Sequence, residues 1–310
     1  MDSAVWSKRN LPVVVGIDGS RSHPGTVDLA VDQAVRHRAP LLIVHVWPGR
    51  YSGSFRTHDA LPTEDDGRHL LELAARRARH RAGNLTVSTE LAAGSVSQIL
   101  TARSESARLV VVGHRDAMPA RASWGSTTAY LAHHAGSPLL VNRGTVPEHG
   151  PVVLAVSARE PVTATVGEAF EEAASTDSKL VAVHVWNQTG TRPPTGSLTT
   201  GTGYGEARRE AERHLAEVLA GWSWRYPDVE VERLLLHDLD IGYTLERASR
   251  RGRLLVAGMG RSGRFVELIY GSLGTTLMRQ AACPVLLVPI GWPAVTAASG
   301  GVTADGRSGR

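Results

Sequence analysis

The sequence predicts an α/β protein built as two copies of one parallel-sheet domain, and three observations predict it. Short apolar runs alternate with amphipathic helical stretches, as βα units do when helices cover both faces of a parallel sheet. The alternation repeats: Val13–Ile17 matches Val152–Val156, and His45-Val46-Trp47 matches His184-Val185-Trp186, both 139 residues apart. Gly113 and Gly258 lie 145 apart, while Gly125-Ser126 and Gly271-Ser272, like Pro138 and Pro284, lie 146 apart. An offset that grows by small steps marks two copies separated by loop insertions, the largest expected in the Gly/Thr-rich stretch 195–205. A chain of 310 residues is long enough for two such domains.

In order, the first copy opens with an apolar strand at 12–17 that ends in Gly16-Ile17-Asp18-Gly19-Ser20. A helix follows, with Val27, Ala30, Val31, Ala34 and Val35 on one face. The run 41–47 (LLIVHVW) is almost wholly apolar, which suits a strand covered on both sides. Residues 48–63 read as a loop, and 64–82 as an amphipathic helix carrying Leu70, Leu71, Ala74 and Ala78. A strand near 85–92, a helix near 95–104, a strand at 109–113, a helix from Gly125-Ser126-Thr127 to about Ala135 and a strand at 138–142 complete the copy. The domain bounds expected are an arm at 1–10, a first domain at 11–143, a linker at 144–150, a second domain at 151–290 and a disordered tail at 291–310.

Composition narrows the function classes. Hydrophobic content of 42% and charged content of 21% fit a globular chain, and the net charge of +4 is modest. The basic pairs Arg76-Arg77, Arg208-Arg209 and Arg250-Arg251 are scattered among acids, which predicts solvated helix faces and no nucleic-acid surface. Cys283 stands alone, excluding an internal disulfide or a cysteine-rich zinc site, and reads as a buried packing thiol. No apolar run approaches the ~18 residues of a membrane span and the N-terminus has no signal core, so a cytoplasmic protein with no membrane partner is expected.

In an open parallel sheet, ligands bind beyond the carboxyl ends of the strands, where strand order reverses. In the first copy that point collects Gly16, Ile17 and Asp18, Val46, and the loop from Gly113 to Gly125, Ser126 and Thr127. In the second it collects Ala155, Val156 and Ser157, Val185, and the loop from Ala257 and Gly258 through Gly260, Arg261 and Gly263 to Gly271, Ser272 and Leu273. A glycine loop that feeds a helix N-terminus is a general way to hold phosphate.

The pieces VVVGIDGS, HVW, LVVVG, a glycine loop ending in GS, and PLLV or PVLLVP, twice and in order, resemble the universal stress protein family in its tandem two-domain form. The resemblance covers nearly all of 12–289. It implies two Rossmann-like (adenine nucleotide alpha hydrolase-like) domains, each a five-stranded parallel sheet of order 3-2-1-4-5 with helices on both faces. It also implies a stress-response role, and in some members ATP binding through Gly-x2-Gly-x9-Gly-(Ser/Thr) and an aspartate after the first strand. Other members bind no nucleotide. In the first copy Asp18 matches the aspartate that would accept from ribose and Val46 would flank adenine, but Asp116 replaces the second glycine and Gly113 to Gly125 is one residue short. In the second copy the 13-residue distance from Gly258 to Gly271 and the Gly271-Ser272 pair match, while Arg261 replaces the second glycine and Ser157 the aspartate. Arg261 reads either as a phosphate clamp or as a plug.

The resemblance thus implies ATP or a related adenine nucleotide, with Mg²⁺, held mainly by the loop 258–272. A nucleotide-free scaffold stays open as an alternative, as does a slow ATPase, for which no base or nucleophile can be named. Asp240, before Ile241, reads as a helix N-cap. Trp47 and Trp186 read as lids on the core, and His45 and His184, inside apolar strands, as core or near-surface groups. Family members commonly pair their last strands across a twofold axis. The strands 138–142 and 285–288 are therefore expected to pair within the chain as a pseudo-dimer. A homodimer of whole chains stays open.

Overall fold

The computed structural model describes residues 11–20, 23–47, 63–114, 126–143, 149–156, 163–186, 202–237, 241–259, 281–289 and 291–293. In the first half these form β1 (Val13–Ile17), α1 (His23–His37), β2 (Leu41–Trp47), α2 (Glu64–Arg81), β3 (Val87–Ala93), α3 (Val96–Ser104), β4 (Leu109–Gly113), α4 (Ser126–His134) and β5 (Leu139–Asn142). In the second they form β6 (Val152–Val156), α5 (Thr163–Ser175), β7 (Leu180–Trp186), α6 (Thr202–Arg225), β8 (Val231–His237), α7 (Ile241–Ser249), β9 (Leu254–Met259) and β10 (Val285–Pro289). The arm 1–10, linker residues 144–148 and the tail beyond 293 lie outside the described residues, as does Asp240. The stretch 195–205 is not all loop, since α6 already begins at Thr202.

Strand order within each half is 3-2-1-4-5, read β3-β2-β1-β4-β5 and β8-β7-β6-β9-β10. Alternation along the strands divides the core. Val13, Val15 and Ile17 pack with Val27, Ala30 and Ala34 of α1 on one face, while Val14 packs with Leu100 of α3 and Leu131 of α4 on the other. The first of these cores runs on into the second half through Leu154, Phe170 and Leu219. Local signals set the helices. Thr63 and Asp66 form a reciprocal capping box at the start of α2, with Thr63 N–H donating to Asp66 Oδ2 at 2.7 Å and Asp66 N–H to Thr63 Oγ1 at 3.2 Å. Three acids in its first turn and three bases in its last complement the helix dipole.

β5 and β10 join the halves. They pair antiparallel, with Val141 opposite Val285, Leu140 opposite Leu286 and Leu139 opposite Leu287, to give one ten-stranded sheet. The outer edges are β3 and β8, which carry the same half-exposed pattern. Ion pairs flank them: Arg103 with Glu90 at 2.6 Å, and Lys179 with Glu230 at 2.7 Å. Charged edges of this kind discourage further strand addition.

Pairing β5 with β10 brings α1 and Arg108, from the first half, against α5 of the second. Arg108, 7% exposed, grips Glu168 with both terminal nitrogens at 3.0 Å and reaches Glu171 at 3.3 Å. Burial by itself would lower the arginine pKa, but the carboxylates of Glu168, Glu171 and Glu172 overcome it and hold the guanidinium above its ordinary value. Arg36 and His37 at the end of α1 face Glu172 and Glu171 at 3.6 to 3.8 Å. The expected tail also starts later than Gly291. Trp292 is 7% exposed, donates Nε1–H to Glu168 at 2.9 Å and lies under the Arg108 guanidinium at 5.6 Å. A large ring with a buried partner for its N–H gains more by docking than it loses in chain entropy.

Two expected outcomes test this architecture. Arg108→Ala leaves the Glu168 carboxylate buried without its main partner and should cost about 3–5 kcal/mol in urea unfolding, whereas a loss near the ~0–1 kcal/mol of a surface pair would contradict the buried geometry. Cys283 has no exposed surface, and burial pushes its thiol up to about 12. Mass spectrometry should therefore find it unalkylated in the native protein and alkylated after denaturation.

Candidate nucleotide site

The candidate site lies where strand order reverses, beyond the carboxyl ends of β1 and β4 in the first half and of β6 and β9 in the second. In the first half β1 and β4 run side by side to Gly16 opposite Val112, so Gly113 and Asp18 leave neighbouring strands almost level with each other. The side chains of Ile17 and Val46 are buried, Ile17 in the core layer on the α1 face and Val46 in the layer on the opposite face. Asp18 and Gly19 stand exposed beyond the end of β1. Gly19 has a φ of +73°, a left-handed conformation that glycine takes without strain. This turn lets Ser20 N–H donate to Asp18 Oδ1 at 3.0 Å. At Gly16 space is tight: a Cβ there would meet Leu100 Cδ1 at 2.9 Å and would force that side chain to shift. Helix α4 begins at Ser126, with Thr127 half-buried in its first turn. Asn142 ties the end of β5 to α1 through an Nδ2–H bond to Thr26 Oγ1 at 3.0 Å. His114 N–H donates to the Asn142 carbonyl at 3.0 Å, which fixes where the chain leaves β4.

The second half differs where it counts. The β6–β9 ladder runs from Val152 opposite Leu254 only to Leu154 opposite Val256. Beyond it, β6 continues to Val156 along β7 and β9 continues to Met259 along β10. Ala155 and Val156 thus lie beyond the last registered pair with β9, while each strand stays paired on its outer side. The side chains of Ala155, Val156 and Ala257 are buried. Val185, on β7, is half-buried and packs against the second core layer. Ser157, Gly260, Arg261, Gly263, Gly271, Ser272 and Leu273 lie outside the described residues, as do Asp116 and Gly125. Among the described residues no group of three or more His, Cys, Asp or Glu side chains could hold a metal ion, and no helix is long and apolar enough to cross a membrane.

A feature of the site escaped the sequence reading. His45, on β2, hydrogen-bonds through Nδ1 to the carbonyl of Ile17 at 2.9 Å, and His184, on β7, does the same to the carbonyl of Val156 at 2.9 Å. The signal was present as a histidine recurring at the 139-residue offset inside two otherwise apolar strands. Burial lowers the His184 pKa below its ordinary 6.5, the bond to Val156 works against this, and nearby His214 adds to the lowering. A lowered folded value means that the unfolded chain binds more protons as pH drops past 6.5, so this group's contribution to stability is complete above that value and declines below it. Melting temperature should fall between about pH 7 and pH 5, and His184→Asn, which does not titrate, should flatten the fall in that window.

Comparison with known proteins follows the same two halves. The profile of the Universal stress protein family matches residues 10–143 and again 149–289. A universal stress protein of Mycolicibacterium smegmatis is 32% identical over 299 residues, spanning 92% of this chain and 99% of that one. One from Mycobacterium tuberculosis is 29% identical over 296 residues, spanning 90% and 96%. In three dimensions the chain is similar to a universal stress protein from Archaeoglobus fulgidus, with a TM-score of 0.65, 14% identity and coverage of 91% and 98%. A second solved structure, from Pseudomonas aeruginosa, has a TM-score of 0.57 at 16% identity over 92% of this chain and 95% of that one. At these identities the structures establish a shared fold.

Proposed function

The chain belongs to the universal stress protein family, and we propose that it is a stress-response regulator that binds ATP or a related adenine nucleotide, mainly through the loop 258–272 of its second half. The observation that carries the reading is the early end of the β6–β9 ladder at Leu154 opposite Val256. A bound nucleotide needs main-chain groups at the strand ends, and the stretches beyond the ladder, 155–156 and 257–259, are the ones this reading draws on. In the first half the corresponding ladder continues one step further, to Gly16 opposite Val112. The sequence adds the 13-residue spacing from Gly258 to Gly271 and the Gly271-Ser272 pair, whose place at a helix start suits phosphate.

In this reading adenine lies over Val185, and Ser157 takes the place of the ribose-binding aspartate. Arg261 contributes charge toward the phosphates, and Mg²⁺ arrives with them. The first half, with Asp18 intact but Asp116 facing the phosphate position, is the weaker site because a carboxylate repels triphosphate. Pairing of β5 with β10 makes the chain a pseudo-dimer, and the segment 144–150 is taken as the linker.

Titration calorimetry and thermal melting with ATP and Mg²⁺ test this reading. Binding at about one hundred times Kd should stabilise the fold by about 2.7 kcal/mol. Gly271→Leu and Ser272→Leu should abolish the signal, and Asp116→Asn should leave it in place. If the intact chain gives neither heat nor a melting shift at millimolar nucleotide, and carries none after purification, the nucleotide-free scaffold stands instead.

A further inference from the structure

The structure assigns His45 and His184 a positioning role at the nucleotide site: each imidazole donates its Nδ1–H to the carbonyl of the last residue of the neighbouring first strand, and so fixes the backbone from which the binding turn departs. The inference takes its ligand from the reading above but its geometry from the hydrogen bonds themselves. The same 2.9 Å contact occurs in both halves, across the same separation of 28 residues.

The chemistry fixes the tautomer. A carbonyl oxygen only accepts, so the ring nitrogen that faces it carries the proton, and a neutral ring then holds its lone pair on Nε2. In His184 that Nε2 is buried without a hydrogen-bond partner, and the residue is 3% exposed. Burying an unpartnered acceptor costs free energy that an aliphatic side chain would avoid. Packing alone would favour valine or leucine here, as at the neighbouring positions of LLIVHVW and LVAVHVW. The histidine brings a donor that reaches sideways to the next strand. Space is made for the ring in the first half by Gly67 of α2, where a Cβ would lie 3.0 Å from His45 Cδ2.

What the bond holds is a single peptide plane. Because that unit is planar, orienting the Ile17 carbonyl also orients the Asp18 N–H, and with it the start of the turn that exposes the Asp18 carboxylate. Both carbonyls lie beyond the last registered pair with the fourth strand of their half, Gly16 opposite Val112 and Leu154 opposite Val256, and each histidine constrains that stretch from the second-strand side. Pre-set main chain at these strand ends reduces the ordering that a nucleotide must impose on binding.

Proton–nitrogen correlation spectra of the imidazoles in the full, unsubstituted chain test the assignment without any variant. Both histidines are expected as Nδ1–H tautomers near neutral pH, and an Nε2–H tautomer would overturn the role of that residue. Variants read the consequence. His184→Leu keeps the volume and removes the donor, whereas His184→Asn places an amide N–H near the former Nδ1. The leucine variant should speed amide exchange at residues 156 and 157 and raise the Kd for ATP, each by roughly tenfold, the effect of one lost hydrogen bond. The asparagine variant should return both towards the starting values. If leucine changes neither quantity, or asparagine fails to restore them, the ring acts by packing alone and the inference falls. Should the unsubstituted chain bind no adenine nucleotide, the functional reading fails, and the tautomer and exchange measurements still decide what the histidines do.

Discussion

The antiparallel ladder between β5 and β10 is the contact on which the rest of the architecture depends. Both strands are apolar nearly throughout, LLVN and VLLVP, with their side chains buried. Left as the outer strands of separate sheets, they would present apolar edges with unpaired main chain to water. Joined, they make one sheet of ten strands and let one core layer continue from Val13 to Val288. The same joining sets the end of α1 against α5, where Arg36 and His37 face Glu171 and Glu172.

That juxtaposition explains the charged cluster. Arg108, Glu168, Glu171 and Glu172 would be costly to bury singly, and as a group they roughly offset their own desolvation. Their value lies in registering one half on the other, since a slipped interface would strand a carboxylate without its arginine. Trp292 closes the cluster from beyond β10, using its indole N–H on Glu168 and its face on Arg108. Tight apolar packing supports the same region from behind: a Cβ at Gly167 would meet the Trp222 ring at 2.6 Å, so α5 and α6 approach closely only because that position is glycine.

The site inherits its character from the sheet. In an open parallel sheet ligands bind where strand order reverses, and in the second half the last registered pair there is Leu154 opposite Val256. The family membership rests on the whole of both halves and does not depend on Ser157 standing for an aspartate or Arg261 for a glycine. The histidines of β2 and β7 act on a carbonyl, which every residue supplies.

Much of this was legible in the chain as written. Period and offset alone gave two βα-repeats, since apolar runs such as LLIVHVW and VVVGI have few other stable uses than strands covered on both faces. The resemblance then supplied strand order, and Asp18, Gly113 and Gly258 reached their places because strand ends in such a sheet have only one place to be. Other features were decided in three dimensions. That Trp292 belongs to the core, that Arg108 reaches across to Glu168 and that β6 leaves β9 early depend on contacts between residues far apart in the chain, which no local pattern encodes. His45 and His184 fall between these cases. Their recurrence was visible in the sequence, but their purpose was not. A hydrogen bond from one strand to the end of the next depends on which strands are neighbours, and only the folded sheet settles that.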